Sequence, residues 1–442
     1  VELALPVVAV EVGMVTMNVV DAAMVGHVSE VALGGVALGH TYSWLFMCFG
    51  AGTLTVLDPV ISQAVGAGDE PAARLGVQRG VLLALALAVP VMLAMCTAGP
   101  VLALLGQPAE LLPLAGEYST VCTLSVVPFL LFTLFRQTLQ ATDTVRPLVV
   151  ASAIANVSNI GLNYLFIHGA PALGLGGMGA IGSAWATVAC RFMLLGLVMW
   201  AARAPLGRTL RPWAGAELRN VRPLATMAGL GFTLGLQQLV EWGAFTCTAL
   251  LMGRLGATEV AGYQIANSLT DVTYMVPLGI SAAASVRVGQ AVGRGDLRAA
   301  TTITSLAIAT GAAVTGTFGL VFATFPEAIA RLWSSTPGVV AMAATIIPVA
   351  GCFQVFDGLR VMSVAVLRGV GQTRAAFAAN VLGFWLVGLP LSVQLAFNMG
   401  WGAAGLWMGM AGGLAVAAVL CTMRIYYLLA NDRVKRLELD LE

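Results

Sequence analysis

The segment Ser62–Asp69 reads SQAVGAGD, and Gly289–Asp296 reads GQAVGRGD just over half the chain later. Three further landmarks recur in the same order around the two copies: MVGHVSEVALGG from Met24 resembles MGRLGATEVAGY from Met252, QATDTVRP from Gln140 resembles RGVGQTRA from Arg368, and GAIGSA from Gly179 resembles GAAGLW from Gly402. Shared Gly and Ala content does not readily produce four landmarks in one order. We therefore predict a chain built from two similar halves.

The sequence around the repeat is strongly apolar. Hydrophobic residues make up 59% of the 442 residues and charged residues 10%, against about 25% charged residues in soluble domains. The 51 glycines suit helices that pack closely in lipid. The seven cysteines lack the spacing of a metal site or a disulfide framework. This composition predicts an all-α polytopic membrane protein.

Apolar stretches of about 20 residues are long enough to cross a bilayer. The sequence contains twelve of them, at approximately 2–27, 36–64, 75–104, 112–139, 146–168, 179–202, 224–252, 260–287, 299–325, 338–367, 376–397 and 402–429. The longest connection is rich in Arg and Pro and separates six spans from six. We therefore predict twelve transmembrane helices in two pseudo-symmetric six-helix lobes: an N-lobe over 1–202, a cytoplasmic linker over 203–223, a C-lobe over 224–430 and a cytoplasmic tail over 431–442.

Basic residues are distributed unevenly between the two sides of the predicted bundle. Of the 22 Lys and Arg residues, eighteen fall on the side of both termini, two (Arg254 and Arg331) fall on the other side, and two (Arg191 and Arg360) fall within spans. Because cytoplasmic loops hold the excess of Lys and Arg, we predict a multi-pass protein of the cytoplasmic (inner) membrane with cytoplasmic termini. Six spans per half make the repeat parallel, an arrangement typical of alternating-access carriers.

Four further stretches are distinctive in order and spacing: VVDAAMVGHVSEVALGGVALG from Val19, SQAVGAGD from Ser62, NIGLNYLFIHG from Asn159 and LRGVGQTR from Leu367. Together they resemble the multidrug and toxic compound extrusion (MATE) family, in its NorM-type branch, and the resemblance covers essentially the whole chain. It implies twelve helices in two lobes and efflux of amphipathic, often cationic compounds in exchange for Na⁺ or H⁺. It also implies cation-coupling acids at the positions of Asp21 in span 1, Glu241 in span 7 and Asp357 in span 10.

Five acids lie deep in apolar stretches: Glu11, Asp21, Glu241, Asp271 and Asp357. An acid inside a bilayer costs roughly 2.5–3.5 kcal/mol on insertion scales, so it marks a candidate functional site. A carboxylate that gains and loses a cation is also the usual chemical basis of ion-driven transport. Glu11 has no polar neighbour in the sequence to suggest a role.

The first predicted cation-coupling site centres on Asp21. Asn18 shares its helix face, and Asn159 and Asn163 lie on one face of span 5, so these amides could complete a site for Na⁺ or H⁺. Many relatives carry an acid at the position of Asn163, so a proton relay built on that acid is not carried over to this chain. The alternative is an interhelical hydrogen bond that only fastens the N-lobe.

The second predicted cation-coupling site combines Glu241 with Asp357. Arg360 either pairs with Asp357 on one helix face, which would make that acid mainly structural, or points away and leaves Asp357 able to bind a cation. A purely structural polar cluster is the alternative for both acids. The secondary candidates for substrate or polar contact are Asn18, Gln237, Gln238, Trp242, Asp271 and Gln354.

Nothing in the sequence favours an enzyme, and the absence of a Walker-type loop argues against direct ATP drive. We expect no cofactor beyond the coupling ion, no metal beyond transported Na⁺, no nucleic acid partner, and a monomer that contacts membrane lipid and small amphipathic or cationic substrates. The nearest alternative is a flippase for a lipid-linked precursor, with a similar bilobed plan. Its cleft would need several cationic side chains, and only Arg191 and Arg360 lie within spans. An intramembrane enzyme and an ion channel fit less well, since neither a nucleophile with its base nor a ring of pore-lining groups is visible.

Overall fold

The computed structural model describes residues 4–26, 29–170, 175–215, 217–434 and 436–437. The described chain is almost entirely α-helical. The exceptions include a 3-10 turn at Glu217–Arg219, π-helical segments at Leu382–Gly388 and Gln394–Asn398, and a two-residue antiparallel pair, β1 (Gly169–Ala170) and β2 (Leu175–Gly176). The helices are α1 Ala4–Gly26, α2 Glu30–Leu54, α3 Leu57–Gly66, α4 Glu70–Cys96, α5 Ala98–Leu104, α6 Leu112–Thr123, α7 Val126–Ala141, α8 Arg146–His168, α9 Ile181–Ala201, α10 Arg203–Leu210, α11 Val221–Gly253, α12 Ala257–Gly293, α13 Leu297–Thr324, α14 Pro326–Trp333, α15 Pro337–Gly369, α16 Thr373–Val381, α17 Leu389–Val393 and α18 Gly402–Ala430.

The helices follow the predicted order of spans. Among the described residues, nine helical segments are long and apolar enough to cross a membrane, and a tenth is added if α6 and α7, bent by 52°, count as one span. Helix α1 adds a shorter apolar stretch, Ala4–Met17. The predicted all-α polytopic fold is therefore confirmed, and the helix count is roughly that of the twelve predicted spans.

The predicted repeat reappears in the backbone as paired turns. We call the repeated segments Ser62–Asp69 and Gly289–Asp296 the GQAVG-type segments. Gly68 and Gly295 occupy the same position in them, and their φ angles are +70° and +72°. In both turns the following aspartate N–H donates to a carbonyl five residues earlier, at 3.0 Å. This is the left-handed helix ending that glycine favours. Asp143 and Gly371, at matching positions of another landmark, likewise have positive φ angles of 58° and 78°.

The two GQAVG-type segments also contact each other reciprocally. A Cβ atom at Gly66 would overlap the backbone carbonyl of Gln290, and a Cβ atom at Gly293 would overlap that of Gln63. Both positions therefore require glycine for the helices to approach this closely. The side chain of Gln63 adds a hydrogen bond from Nε2 to the Gly369 carbonyl at 2.8 Å. The exchange of equivalent contacts is what two copies related by a two-fold axis produce.

The described residues divide into two compact units. One comprises Leu236 to the end of the described chain, together with Asp58–Asp69 and the residues before Ala9; the other comprises Ala9–Leu57 and Glu70–Gly235. Both candidate sites lie within single units, the Asp21 site in the second and the Glu241 site in the first. The predicted lobe boundaries at 202 and 224 remain a prediction.

The first unit has an aromatic core beside its candidate site. Phe353 packs edge-on against Trp407 with ring centroids 4.9 Å apart, and Phe245 contacts Phe384 at 5.7 Å. Phe353, Phe384 and Trp407 are all buried. Rigid aromatic packing fixes α15 against its neighbours and thereby fixes the orientation of the polar residues on α15.

Candidate functional site

Asp21 lies on α1 and accepts hydrogen bonds from two other helices. Asn159 Nδ2 donates to Oδ1 at 2.9 Å, Asn163 Nδ2 donates to the same oxygen at 2.6 Å, and Thr187 Oγ1 donates to Oδ2 at 3.1 Å. The two asparagines are four residues apart on α8 and so share one helix face. The structure thus brings Asp21, Asn159 and Asn163 together as the sequence predicted, and we call these residues with Thr187 the Asp21 cluster.

The Asp21 cluster holds its carboxylate with neutral donors only. Among the described residues, no ion pair includes Asp21. Asn159 and Asn163 are fully buried, and the Oδ1 atom of each lacks a hydrogen-bond partner. An asparagine amide presents its oxygen after a half-turn, so both side chains could offer oxygen to a cation beside the carboxylate. The same half-turn would offer an acceptor to a protonated Asp21.

Thr187 was missed by sequence reasoning. It lies on α9, where its hydroxyl has two acceptors within reach, Asp21 Oδ2 and, at 3.0 Å, the Ser183 carbonyl, and its single proton donates to one of them at a time. Membrane helices commonly satisfy threonine hydroxyls on their own backbone, so a threonine carries little signal. The available signal was its spacing of four residues from Arg191, which makes a polar pair on one face of an apolar span.

Glu241 on α11 and Asp357 on α15 are joined by Arg360 of α15. Arg360 Nη2 donates to Glu241 Oε1 at 2.6 Å and to Asp357 Oδ1 at 2.7 Å. Its Nη1 donates to Glu241 Oε2 at 3.1 Å, and its Nε donates to Asp357 Oδ1 at 3.0 Å. The guanidinium is 1% exposed and its Cζ lies 5.1 Å from the ring centroid of Phe384. We call Glu241, Asp357 and Arg360 the Arg360 cluster.

The contacts of Arg360 show which of the two predicted arrangements of Asp357, paired with Arg360 or unpaired, is present. The side chain is ion-paired with Arg360, and the reading in which Arg360 points away and leaves Asp357 unpaired is wrong. The sequence could not show that the same guanidinium also reaches Glu241 on another helix. Two carboxylates and one guanidinium leave one net negative charge when all are ionised, so the cluster already contains a cation of its own.

The secondary candidates are distributed around the two clusters. Gln237 and Gln354 are buried, and the Oε1 atom of each has no hydrogen-bond partner, whereas Gln238 is half-buried. Trp242 is 46% exposed. Asp271 accepts a hydrogen bond from Asn267, on its own helix, at 2.9 Å. No hydrogen bond or ion pair among the described residues brings Asp271 into the Arg360 cluster, and the side chain of Asn18 lies outside the part of the chain that the structure describes.

Glu11 has a partner that the sequence did not suggest. Its Oε1 forms an ion pair with Arg136 Nη1 of α7, and both side chains are largely buried. The pair joins α1 to α7 inside the unit that holds the Asp21 cluster. Arg136 thereby accounts for the acid that had no assigned role.

Comparison with known proteins defines the class of this chain as a membrane transporter with two homologous halves. The family model MatE matches residues 6–165 and residues 234–394, one match in each half. The match covers most of the chain, and the chain therefore belongs to the MatE family.

Relatives of similar length support this assignment. A "Probable multidrug resistance protein NorM" of Bradyrhizobium diazoefficiens is 31% identical over 429 residues, covering 96% of this chain and 91% of that protein. Multidrug resistance protein MdtK of Yersinia pseudotuberculosis is 31% identical over 442 residues, covering 96% and 94%.

Solved structures share the fold. The eukaryotic MATE transporter AtDTX14 superposes with a TM-score of 0.87 at 22% identity, covering 98% of this chain and 97% of that one. A multidrug resistance MATE family transporter in an outward-facing conformation superposes with a TM-score of 0.86 at 20% identity, covering 98% and 95%. At these identities the similarity concerns the architecture and not the individual site residues.

Proposed function

We propose that this chain is a secondary active multidrug efflux antiporter that exports amphipathic, often cationic compounds in exchange for Na⁺ or H⁺ by alternating access. The observation that carries the proposal is the Asp21 carboxylate, which lies on the 23-residue helix α1 and is held by three neutral donors. Such a carboxylate can take up and release a cation without breaking an ion pair. Membership of the MatE family and two relatives named as multidrug resistance proteins support the substrate class.

The Arg360 cluster is proposed as a second coupling element. A proton or cation on Glu241 would weaken the fork that Arg360 makes across α11 and α15, and so would loosen one helix from the other. Uptake of an ion would in this way favour one conformation over another. Coupling requires that the ion and the exported compound each bind the two conformations with different affinities.

The deciding experiment is efflux from proteoliposomes under separately imposed Na⁺ and pH gradients. Ethidium is a suitable probe, because it is a planar amphipathic cation. We expect one gradient to drive efflux in the wild-type protein and Asp21→Asn to abolish the response. The matched control is Glu327→Gln, which likewise changes an acid to its amide but on α14, where the side chain is 69% exposed, and the response should survive it. Efflux that neither gradient changes, or that requires ATP, would refute the antiporter.

The orientation is proposed from charge distribution, with both termini in the cytoplasm of an inner-membrane protein. Trp213 lies in the connection before α11 and is 50% exposed. In a cysteine-free background, Trp213→Cys should react with an impermeant maleimide only when the reagent reaches the cytoplasmic face. Labelling by reagent added outside intact cells would show that this connection faces outward and that the proposed topology is wrong.

A lipid-linked precursor flippase is the alternative within the same fold. A pyrophosphate headgroup needs several cationic side chains, and Arg360 is already engaged by two carboxylates. Of the two arginines deep within the predicted spans, Arg191 and Arg360, this leaves only Arg191, which favours the efflux antiporter.

A further inference from the structure

The chain beyond α18 turns back towards α12. Asp432 follows the end of this helix and has a positive φ angle of 50°, which aspartate adopts more readily than most residues. The backbone N–H of Arg433 then donates to the Leu428 carbonyl at 3.0 Å, a bond that closes the helix end. Val434 packs against a buried apolar cluster that includes Val292 of α12. The turn therefore returns the tail to the region of the GQAVG-type segments.

Two tail residues, Arg436 and Leu437, contact the first GQAVG-type segment. Arg436 Nη2 forms an ion pair with Asp69 Oδ2 at 2.8 Å. The backbone N–H of Leu437 donates to Gln63 Oε1 at 2.7 Å. The Leu437 side chain lies against the turn at Gly371, where an added Cβ atom would be 2.9 Å from it. We call Arg436 and Leu437 the tail strap.

Gln63 lies at the centre of these contacts and is 1% exposed. Its Nε2 donates to the Gly369 carbonyl, while its Oε1 accepts the hydrogen bond from Leu437. Its backbone carbonyl closely approaches Gly293 of the second GQAVG-type segment. The tail strap is thus bound to the residue through which the two segments meet.

The two copies of the repeat differ at this glutamine. Gln290, which matches Gln63, accepts a hydrogen bond from Arg287 of its own helix at 3.1 Å. The position that matches Arg287 in the first copy is Val60, whose side chain has no donor. The Gln63 side chain is therefore able to accept from the tail instead, and one apolar residue makes the repeat asymmetric.

The tail strap joins the two halves of the repeat. The first GQAVG-type segment belongs to the first half, whereas the tail follows the last helix of the second half. Alternating access requires the halves to separate on one side of the membrane while they close on the other. We propose that the tail strap is a latch that stabilises the state with the GQAVG-type segments in contact and detaches before they separate. The inference rests on the proposed function, which supplies the separation of the halves and the cytoplasmic side.

The contacts of the tail strap are of a strength that permits release. The side chains of Arg436 and Asp69 are 32% and 38% exposed, so water and salt screen the ion pair. Such a pair shifts an equilibrium by up to about fivefold, and one net hydrogen bond shifts it by about two- to tenfold. Together with the apolar contact of Leu437, the strap biases the closed state about tenfold or more without locking it.

Modification of a buried cysteine tests the latch without any gradient. Ser62 is fully buried, and a Cβ atom at Gly289 would overlap its hydroxyl, so Ser62→Cys becomes reactive when the two segments separate. The purified full chain is treated with N-ethylmaleimide, and peptide mass spectrometry distinguishes this position from the native cysteines. When opening and closing are fast relative to modification, the rate is proportional to the open fraction.

Tail variants should raise the modification rate. We expect a two- to fivefold increase, about the range of one screened ion pair, for Arg436→Gln, and about tenfold or more when the chain is ended at Val434. The matched control is Arg433→Gln, which removes an exposed tail arginine whose Cζ lies 5.3 Å from the Tyr427 ring centroid, and it should leave the rate unchanged. Arg436→Gln or a shortened chain modified at the wild-type rate, or an equal increase in Arg433→Gln, would overturn the proposal.

Salt dependence separates the ion pair from a general effect on packing. Raising potassium chloride from about 0.05 to about 0.5 M should speed modification in the protein with Arg436 and not in Arg436→Gln, because only the former has this ion pair to screen. Potassium avoids Na⁺, a candidate coupling ion. Equal salt responses in the two proteins would overturn the latch.

Two further results keep the outcome decisive. If Ser62→Cys does not fold, amide hydrogen exchange of the peptide that contains Gln63 compares the wild type with the shortened chain, and unchanged exchange would overturn the latch. Missing ion-driven efflux alongside tail-dependent modification would refute the proposed antiporter and not the latch. Intact efflux with modification that the tail does not affect would refute only the latch.

Discussion

The two buried carboxylate clusters stabilise negative charge in opposite ways. Asp21 is surrounded by three neutral donors from two helices, whereas Glu241 and Asp357 share the guanidinium of Arg360. Neutral donors leave the Asp21 carboxylate without a directly paired cation, so a mobile cation can pair with it. In the Arg360 cluster a built-in arginine permanently compensates one of the two negative charges.

This difference assigns unequal roles to acids that look equivalent in the sequence. A Na⁺ ion entering the Arg360 cluster must compete with a cation that makes four hydrogen bonds to the same two carboxylates. An ion entering the Asp21 cluster needs only a rearrangement of amides and a hydroxyl. The proposed coupling therefore depends mainly on Asp21, and the Arg360 cluster mainly responds through helix–helix contact.

The largest expected effect is on stability, from Arg360→Gln. Removing the guanidinium leaves two buried carboxylates unpaired, and breaking a buried ion pair in this way costs about 3–5 kcal/mol. Thermal unfolding of the purified protein should show a large loss. The triple variant Glu241→Gln, Asp357→Asn, Arg360→Gln removes all three charges and should recover much of it. A single variant as stable as the wild type would show that Arg360 does not compensate these acids.

The second expected effect is on transport, from Asp21→Asn. The amide keeps the size of the side chain and can still hydrogen-bond, so we expect stability within about 1 kcal/mol of the wild type. Ion-driven efflux should fall at least about 100-fold, because a neutral amide cannot bind a proton or balance the charge of Na⁺. A folded variant that transports normally under a gradient would reduce Asp21 to a fastening role and would remove the contrast between the clusters.

The sequence predicted the backbone more completely than the sites. Glycines and aspartates at matching positions of the repeat determine local turns, so the paired left-handed turns at Gly68 and Gly295 follow from local rules. The meeting of Asp21 with Asn159 and Asn163 also followed from helical spacing together with family resemblance. Helical spacing predicts which side of a helix a residue lies on and how deep in the membrane it lies. This information was sufficient for Asp21, which meets a single polar face of α8.

What the sequence could not supply was the choice among partners across helices. Arg360 lies three residues from Asp357, so the pair within α15 was foreseeable, but its reach to Glu241 depends on how α11 packs against α15. Glu11 and Arg136 are likewise distant in sequence and meet only through packing of α1 on α7. Side-chain rotamers and helix rotation decide such contacts, and one sequence carries little information about either.

A third test ranks the two acids of the Arg360 cluster. Glu241 joins α11 to α15, whereas Asp357 and Arg360 lie on the same helix. Glu241→Gln should therefore lower ion-driven efflux about tenfold, with Asp357→Asn equal or milder, because only the former weakens an interhelical charge-assisted contact. Initial efflux rates at equal protein density would measure the order. A milder Glu241→Gln would mean that the interhelical contact does not transmit the ion's effect.

The smallest expected effect comes from Thr187→Val, which removes one of the three donors to Asp21 and keeps the shape of the side chain. A net hydrogen bond contributes about 0.5–1.5 kcal/mol, or about 1.5–3 kcal/mol when it is made to a charged group. The Thr187 hydroxyl also has the Ser183 carbonyl of its own helix as an acceptor, which keeps the expected loss in the lower range. We therefore expect the half-saturating concentration of the coupling ion to change about three- to tenfold, with the maximal efflux rate unchanged. Thr317→Val is the matched control, since Thr317 donates to the Ala313 carbonyl of its own helix and belongs to neither cluster.

If the two valine variants behave alike, the third donor is dispensable, and Asn159 and Asn163 alone define the site. If Thr187→Val instead lowers the maximal rate without changing the ion dependence, the hydroxyl serves helix packing and not the ion.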